Sequence, residues 1–463
     1  MKRITQTTLV LSALLLALAA AGCTQAGPPA TNTAATNTAA NTATAAATPT
    51  PAASPAAPAS AASDLPVTLP VLDAMFADEA FAGELKSRLQ LTDEQVTKLR
   101  EVAREETGNL QEGEGEHAGT TTEATRRANA KVEEVLGRDK ARDFSAFVRE
   151  RWAGGAAAGA ASNQKPNAVP TDTRVVVNAP AYRMDVFEGG KLVKTYRVGI
   201  GYPEFPLPQG MRKADQIIFN PVWTPPDEPW VKGKFAPGKK VEAGSNDNPL
   251  GPIKIPIGLP SLIHGGKSPA RLGTFASHGC VGLTNPQVQD FAVVLAGIGG
   301  AQVTPEDVKT YGQKRDETKN VKLSNAVPVE LRYETIVVED GRLHIYRDVY
   351  DKGTNTEENL RRVLEAYGVR LEDLTEQERA QVTEALKAMA RDAQGNPTDG
   401  QPSPTPTPAG KDKKANVRET KTIKGQKEVV IDIAALRGKG YPAPVNLNTG
   451  GAPQPKAAAK KKA

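Results

Sequence analysis

Cysteine, histidine and long apolar runs are scarce in this sequence of 463 residues. The chain contains two cysteines, Cys23 and Cys280, and four histidines. Two cysteines allow one disulfide bond at most, and none if either of them is modified. The apolar run at residues 9–19 is too short to span a bilayer. Each cysteine therefore needs its own explanation.

Excess charge is small as well. The formal net charge is +5, and Lys456, Lys460, Lys461 and Lys462 account for four of these five charges. The body of the chain is thus near neutral, which argues against a nucleic acid partner. We interpret residues 447–463 as a basic disordered tail, and contact with phospholipid or an anionic wall polymer is the alternative.

The N-terminal segment has the order of a secretory signal, with basic residues, then the apolar run, then small residues before Cys23. It resembles a bacterial lipobox, whose cysteine becomes lipidated after cleavage, although Ala20 stands where leucine is usual. We therefore predict a signal peptide at residues 1–22, a lipid anchor at Cys23 and a protein that is exported to the periplasm-facing side of the cell envelope. Secretion without lipid is the alternative.

Composition divides the rest of the chain into several parts. Residues 24–63 are almost entirely Ala, Thr, Pro, Asn and Ser, which bury too little apolar surface to fold. A stretch with helical periodicity comes next, then a series of β-rich runs, and then a second stretch with helical periodicity. We therefore expect a mainly β domain with flanking helical segments, α+β overall. The predicted parts are a tether (23–64), a helical domain (65–152), a linker (153–170), the β domain (171–305), a β extension of it (306–351), a helical segment (352–393), a linker (394–414) and a short strand-bearing segment (415–446).

Local signals predict several elements. Thr92 and Gln95 have the spacing of a capping box, which begins a helix. Strands are expected at residues 174–177, 182–187 and 191–198, a helix at 285–296 and a strand at 429–433. The helical domain is expected to be a hairpin with a loose loop at 108–122. We interpret it as a spacer or as the binding surface for a protein partner.

Two of the histidines and one cysteine lie close together in the sequence, at His264, His278 and Cys280. In an extended strand, the side chains of His278 and Cys280 would point to the same face and could approach each other. A neighbouring base generates the thiolate, which is the nucleophile. Gly279 lets a substrate come close, and the N–H groups of Gly279 and Cys280 can hold an oxyanion. The pattern therefore predicts a cysteine site for acyl transfer.

Two other interpretations compete with this prediction. A lone cysteine in a β-rich run is often a small buried hydrophobe. His264, His278 and Cys280 could also bind a catalytic zinc ion, but no acidic general base lies beside them as in zinc hydrolase motifs. We therefore expect no metal and no other cofactor.

The same stretch carries a resemblance to a known family. Residues 263–285, IHGGKSPARLGTFASHGCVGLTN, resemble the signature of the L,D-transpeptidase catalytic domain, the YkuD-type fold. The similarity extends over about residues 171–305 and includes NPVWTPP at 220–226 and NPLGP at 248–252. It implies a YkuD-like β-sandwich that acts on peptidoglycan stem peptides. In such enzymes a cysteine attacks the carbonyl of the third residue, expels the terminal D-alanine and passes the acyl group to an amine.

The resemblance also implies a role for each residue of the motif. Cys280 matches the nucleophile and His278 the general base. His264 matches a histidine near the oxyanion, Ser277 a residue that helps to fix the imidazole, and Gly279 a backbone donor.

One departure from the family pattern concerns substrate binding. Gly282 stands where the family usually has arginine, which leaves the preference for the donor substrate open. Arg271 is the candidate to replace that arginine in space. Trp223 and Asn285 are further candidates for substrate contact, and Trp223 could equally pack in the core.

Two other functions remain compatible with the sequence. The first is a hydrolase of the carboxypeptidase or endopeptidase type, in which water instead of an amine resolves the thioester. The second is a catalytically inert lipoprotein that binds the cell wall, because a fold alone does not establish a function.

Overall fold

The computed structural model describes residues 65–109, 121–153, 165–225, 231, 239–258, 261–398 and 419–447. The predicted signal peptide, the lipid anchor at Cys23, the tether, nearly all of the basic tail and most of both linkers lie outside these residues. Among the residues described, no helix has the length and apolar character needed to cross a membrane.

Five helices begin the described part of the chain. The predicted capping box is confirmed, because Gln95 N donates to Thr92 Oγ1 at 3.2 Å and Thr92 N donates to Gln95 Oε1 at 3.1 Å. The apolar faces of the helices form a shared core, so the segment is a small bundle, in which α3 and α4 pack together on either side of the expected loop. The helices are α1 (Leu69–Phe76), α2 (Glu79–Leu89), α3 (Asp93–Asn109), α4 (Thr121–Leu136) and α5 (Arg138–Ala153).

A mixed eight-stranded sheet follows, in the order β3-β2-β1-β10-β5-β6-β7-β9. The pairs β1–β10 and β7–β9 are parallel, and the other neighbours are antiparallel. The strands are β1 (Arg174–Asn178), β2 (Arg183–Glu188), β3 (Lys191–Arg197), β5 (Gly210–Phe219), β6 (Ile253–Pro256), β7 (Leu262–His264), β9 (Val281–Gly282) and β10 (Lys319–Arg332).

Smaller elements surround this sheet. The short strands β4 (Ile200–Gly201) and β8 (Phe275–Ser277) pair in parallel, and a third sheet has the order β11-β12-β13. Its strands are β11 (Ile336–Glu339), β12 (Arg342–Tyr346) and β13 (Glu428–Asp432). The remaining helices are α6 (Asn285–Ile298), α7 (Pro305–Gln313), α8 (Glu357–Glu365) and α9 (Glu376–Met389). The expected class, α+β with a mainly β domain and flanking helices, is confirmed.

The predicted β extension at 306–351 contributes a strand to the main sheet. Strand β10 lies inside the eight-stranded sheet between β1 and β5. An inner strand of the sheet therefore follows the motif region, and helices α6 and α7 lie between the two in the chain. Strand β13 is not a separate unit either, because it pairs with β12.

A buried lysine joins the helical bundle to the sheet. Lys352 Nζ lies 3.5 Å from the ring centroid of Trp152 in α5 and 4.2 Å from that of Tyr333, which follows β10. Lys352 is only 1% exposed, so these aromatic faces replace much of the water that an ammonium group would lose. The bundle thus packs directly against the β domain.

Candidate active site

A tight turn between β8 and β9 carries the cysteine. Cys280 N donates to Ser277 Oγ at 3.1 Å, and Ser277 Oγ donates to the Cys280 carbonyl at 2.6 Å. Ser261 Oγ donates to the Gly279 carbonyl at 2.9 Å, and Gly279 has a φ of +93°, a region that favours glycine. The turn is therefore fixed from both sides, and it holds the Cys280 thiol half-buried at the start of β9.

The turn geometry corrects the reasoning about His278 and Cys280. Residues 278–280 are bends and not an extended strand, so the alternation of side chains along a strand does not apply to them. His264, in contrast, lies in β7, which pairs in parallel with β9 in the register His264↔Gly282. Cys280 is the residue before β9, level with Leu262, and it shares a hydrogen bond with the Leu262 backbone. Cys280 thus lies beside β7, two residues before Gly282, the partner of His264 in the sheet.

His264 is buried and oriented by its own chain. Its Nδ1 lies 2.8 Å from the Gly265 carbonyl oxygen, which can only accept a hydrogen bond. Nδ1 therefore carries the proton, and the Leu250 backbone also forms a hydrogen bond with the imidazole. The resemblance did not assign a role to Gly265, which follows His264 directly.

His278 has a different set of partners. Its Nε2 lies 2.9 Å from Glu419 Oε1, with 20% and 14% of the two side chains exposed. The imidazole packs edge-on against Tyr202 and Phe205, with ring centroids 5.0 Å and 4.8 Å away. This ring is therefore held by an acid and two aromatic side chains.

Glu419 was not predicted from the sequence, and it lies far outside the motif region. The residue after it, Thr420, donates from Oγ1 to Glu204 at 2.7 Å, and Thr274 Oγ1 donates to the Lys421 carbonyl at 3.4 Å. These contacts hold the segment that begins at residue 419 against β8 and the loop after β4. No local pattern identifies an acid that reaches the site from so distant a position.

Burial keeps the Cys280 thiol and the His264 imidazole uncharged. It raises the pKa of Cys280, while the Leu262 hydrogen bond and the positive charge of Lys267 oppose this effect. Burial and Lys267 together lower the pKa of His264 to about 3. Burial also lowers the pKa of His278, and Glu419 opposes it. At neutral pH the thiol and the His264 imidazole are therefore neutral, and a thiolate forms only as it reacts.

Lys267 was also missed, and it lies in the space above Gly282. A Cβ atom on Gly282 would lie 2.8 Å from Lys267 Cγ, 3.3 Å from Cδ and 3.0 Å from Cε. The side chain is half-buried, and burial lowers the pKa of Lys267 to about 8, while Cys280 opposes this shift. The side chain of Lys267 thus occupies the space that an arginine at position 282 would need.

Two expectations about backbone groups change. The Cys280 N–H is engaged by Ser277 Oγ, so it is not free to hold an oxyanion. The Gly279 N–H has no hydrogen-bond partner in the described part of the chain, and it is the available donor. The Ser277 carbonyl accepts from Tyr202 N at 2.9 Å. Ser277 therefore fixes the turn, and the expectation that it fixes the imidazole is not supported.

The three candidates for substrate contact have separate positions. Arg271 Nη2 donates to the Tyr202 hydroxyl at 3.0 Å, next to His278. Asn285 Oδ1 accepts from Gly266 N at 2.7 Å and so holds the loop after His264. Trp223 is half-buried and pairs through its backbone with Val241, at 3.0 Å and 2.7 Å. In the described residues, no three His, Cys, Asp or Glu side chains are grouped as metal ligands would be.

A β domain with a half-buried thiol and an oriented imidazole has the groups that cysteine enzymes use in acyl transfer. Comparison with known families makes the class specific, because residues 172–308 match the model of the L,D-transpeptidase catalytic domain, YkuD. The resemblance of this region to the L,D-transpeptidase catalytic domain of the YkuD family, predicted from the sequence, is therefore confirmed.

Individual relatives are distant. A Bacillus subtilis (strain 168) protein named "Putative L,D-transpeptidase YqjB" is 24% identical over 170 residues, which is 35% of this chain and 89% of that protein. The catalytic domain of an E. faecium L,D-transpeptidase is 16% identical, with a TM-score of 0.21, over 35% of this chain and 99% of that one. An L,D-transpeptidase from Mycobacterium smegmatis is 13% identical, with a TM-score of 0.21, over 35% of this chain and 58% of that one.

Proposed function

We propose that this protein is a peptidoglycan L,D-transpeptidase that uses Cys280 as its nucleophile. The domain match gives the class of enzyme, and the geometry of the thiol supports the role of the residue. The observation that carries the proposal is the pairing of β7 with β9, because it places the strand with the oriented imidazole of His264 beside the residue that precedes β9, Cys280. The substrates would be stem peptides of the cell wall.

The identity of the general base is part of the proposal. The sequence assigned this role to His278, but the contacts favour His264. The Gly265 carbonyl keeps a proton on Nδ1 of His264, whereas the Nε2 atom of His278 is bonded to Glu419. We therefore propose His264 as the base and His278 as a positioned side chain of the substrate groove.

The reaction would proceed in two halves. As Sγ of Cys280 attacks the carbonyl carbon of the third stem residue, its proton passes to His264 Nε2, and the Gly279 N–H donates to the oxyanion. The C–N bond to D-alanine then breaks, the imidazolium protonates the leaving amine, and a thioester remains. An acceptor amine attacks this thioester, gives a proton to His264 and forms a new amide as the C–S bond breaks. The returning proton restores the thiol.

The test is product analysis with purified muropeptides that carry a tetrapeptide stem. The full chain should release D-alanine, show an acyl-enzyme by intact mass and form a dimer, and Cys280→Ala should do none of these. Tripeptide without dimer would favour the hydrolase. If the wild type gives no Cys280-dependent product and no acyl-enzyme, the enzymatic proposal is wrong and the inert wall-binding protein gains support.

Two matched variants separate the candidate bases. His264→Gln should slow acyl-enzyme formation by at least about a hundredfold, because general bases contribute about 10²–10⁴-fold. His278→Gln should have a smaller effect on this step and a larger one on KM. The reverse order would return the role of base to His278.

The location in the cell is a separate proposal. Lipid attachment at Cys23 and export are supported by the order of residues before this cysteine. Cys23→Ala should abolish incorporation of labelled fatty acid and release the protein from the membrane fraction. Labelling that survives this substitution would contradict a lipid anchor at Cys23. A protein partner for the helical bundle stays a prediction.

A further inference from the structure

The replacement of the family arginine by Gly282 is accompanied by a second change, at Lys267. The aliphatic part of Lys267 fills the volume that a side chain on Gly282 would need, with Cγ only 2.8 Å from the Cβ position. The Lys267 backbone is fixed there, because its N–H donates to the Leu283 carbonyl at 3.1 Å. A basic side chain thus reaches this part of the site from the loop after β7 instead of from β9.

The Lys267 side chain ends close to the cysteine. Its Cε lies 3.0 Å from the Cβ position of Gly282, two residues after Cys280, and its positive charge opposes the rise in the pKa of Cys280 that burial causes. The other charged group beside it is Arg271, which is also basic. Within the described part of the chain, no carboxylate forms an ion pair with Lys267. A half-buried cation that faces a neutral thiol and a second cation is an incomplete ion pair, which favours an anionic ligand.

We propose that the Lys267 ammonium binds a carboxylate of the donor stem peptide next to the scissile carbonyl, and so performs from the β7 loop the task of the missing arginine. This inference rests on the proposed function, because the proposed donor bears carboxylates on both sides of the bond that breaks. One belongs to the terminal D-alanine, and the other to the side chain of a diamino acid that carries a second carboxyl group, as in the donor chosen for the experiment. The two sources share one chemistry, and the experiment distinguishes them.

The experiment measures acyl-enzyme formation with three donors: the tetrapeptide, the same peptide with its terminal carboxylate amidated, and the peptide with the diamino acid carboxylate amidated. Lys267→Met removes the charge but keeps a chain that can cover Gly282. Lys191→Met is the control, since Lys191 is an exposed lysine of β3 at the opposite edge of the sheet. We expect Lys267→Met to raise KM for the natural donor by about tenfold or more, and the control to leave it unchanged.

Amidation should have the same effect as the substitution. For the wild type, KM should rise about tenfold with one of the two amidated donors. For Lys267→Met, KM should rise little further with that donor, because the partner is already absent. The donor that shows this coupling identifies the carboxylate. If Lys267→Met raises KM above the wild-type value by the same factor with all three donors, Lys267 does not bind a donor carboxylate and the inference is wrong.

Moving the positive charge from position 267 to position 282 tests whether the two positions can serve the same role. Gly282→Arg alone should impair the enzyme, because the new side chain collides with Lys267. Lys267→Ala with Gly282→Arg opens that space, and the double variant should recover KM for the natural donor relative to Lys267→Ala alone. Failure to recover, in a variant that folds and whose thiol reacts with iodoacetamide as the wild type does, would contradict a shared role.

The outcomes also separate this inference from the proposed function. A wild type that forms no acyl-enzyme with any donor would overturn both. A wild type that forms it, with a Lys267→Met variant that does not discriminate among donors, would overturn the role of Lys267 alone. A change in the rate of thiol alkylation without a change in donor discrimination would mean that Lys267 acts on the thiolate, and would also overturn it.

Discussion

The hydrogen bond between Glu419 and His278 gives a prediction that sequence similarity does not make. Glu419→Gln keeps the size of the side chain and removes its charge. The bond is 2.9 Å long, and both side chains are largely covered, so it belongs to the charge-assisted class, which contributes about 1.5–3 kcal/mol. Because both groups keep some contact with water, we take the lower end of this range, which corresponds to about a tenfold loss in kcat/KM for acyl-enzyme formation.

The assay has a second readout that a merely structural role would not change. Glu419 opposes the lowering of the His278 pKa by burial, so its removal should shift the titration of the His278 ring to still lower pH. Proton NMR of the imidazole, followed from pH 4 to 8, measures this shift. The slower acyl-enzyme formation should therefore be accompanied by a His278 ring that becomes protonated only at lower pH than in the wild type.

A second histidine–glutamate pair provides the control. His344 Nδ1 lies 2.6 Å from Glu428 Oε1 in the three-stranded sheet, on the same C-terminal segment as Glu419. Glu428→Gln should leave acyl-enzyme formation unchanged. The reasoning is refuted if Glu419→Gln retains the wild-type rate and the wild-type titration of His278, or if Glu428→Gln lowers the rate equally.

Three further predictions follow from buried charged or titratable groups. His264 has a pKa of about 3 in the folded protein against an ordinary 6.5, so the unfolded chain binds the extra proton between these pH values and stability falls as the pH falls through this window. His264→Asn should reduce the slope of the unfolding free energy by up to about 1.4 kcal/mol per pH unit, measured by urea unfolding from pH 4 to 6, and an unchanged slope would contradict it. Since burial lowers the pKa of Lys267 to about 8, KM for the donor should rise above that pH, and Lys267→Arg should move this limb to higher pH in a pH–rate profile. Trp152→Leu removes an aromatic face from the buried ammonium of Lys352 and should destabilise the fold by about 2 kcal/mol in urea unfolding, whereas a change within error would mean that the contact contributes nothing.

The elements that were predicted correctly are those whose signals are local. The capping box at Thr92 and Gln95 involves groups three residues apart, and it begins α3 as expected. The helix predicted at 285–296 is α6, where Thr284 and Gln287 form a second capping box. Such signals act within one turn of backbone, so neighbouring residues are enough to reveal them.

The place of β10 in the sheet was not predicted, because it depends on pairing between distant residues. Strand β10 pairs in parallel with β1 in the register Val175↔Val329. A parallel pair needs a crossover connection, and here the crossover contains most of the domain. Nothing in the residues near 305 indicates that the sheet is still lacking an inner strand. The run of strands after the motif is therefore predicted as an extension of the β domain, and the sheet shows that one of them is an inner strand.

The active site also shows that the sequence predicts residue types better than their arrangement in space. The motif identified the thiol and both imidazoles, because residue types and spacing are properties of the sequence. Their roles depend on geometry that spacing does not determine. The assumption of an extended strand paired His278 with Cys280, but Gly279 at a φ of +93° turns the chain there, and β7 brings His264 alongside instead. The ring of His278 forms a hydrogen bond with Glu419, which comes from outside the motif. A catalytic assignment that is carried over by position is thus only as good as the backbone conformation assumed between the matched residues.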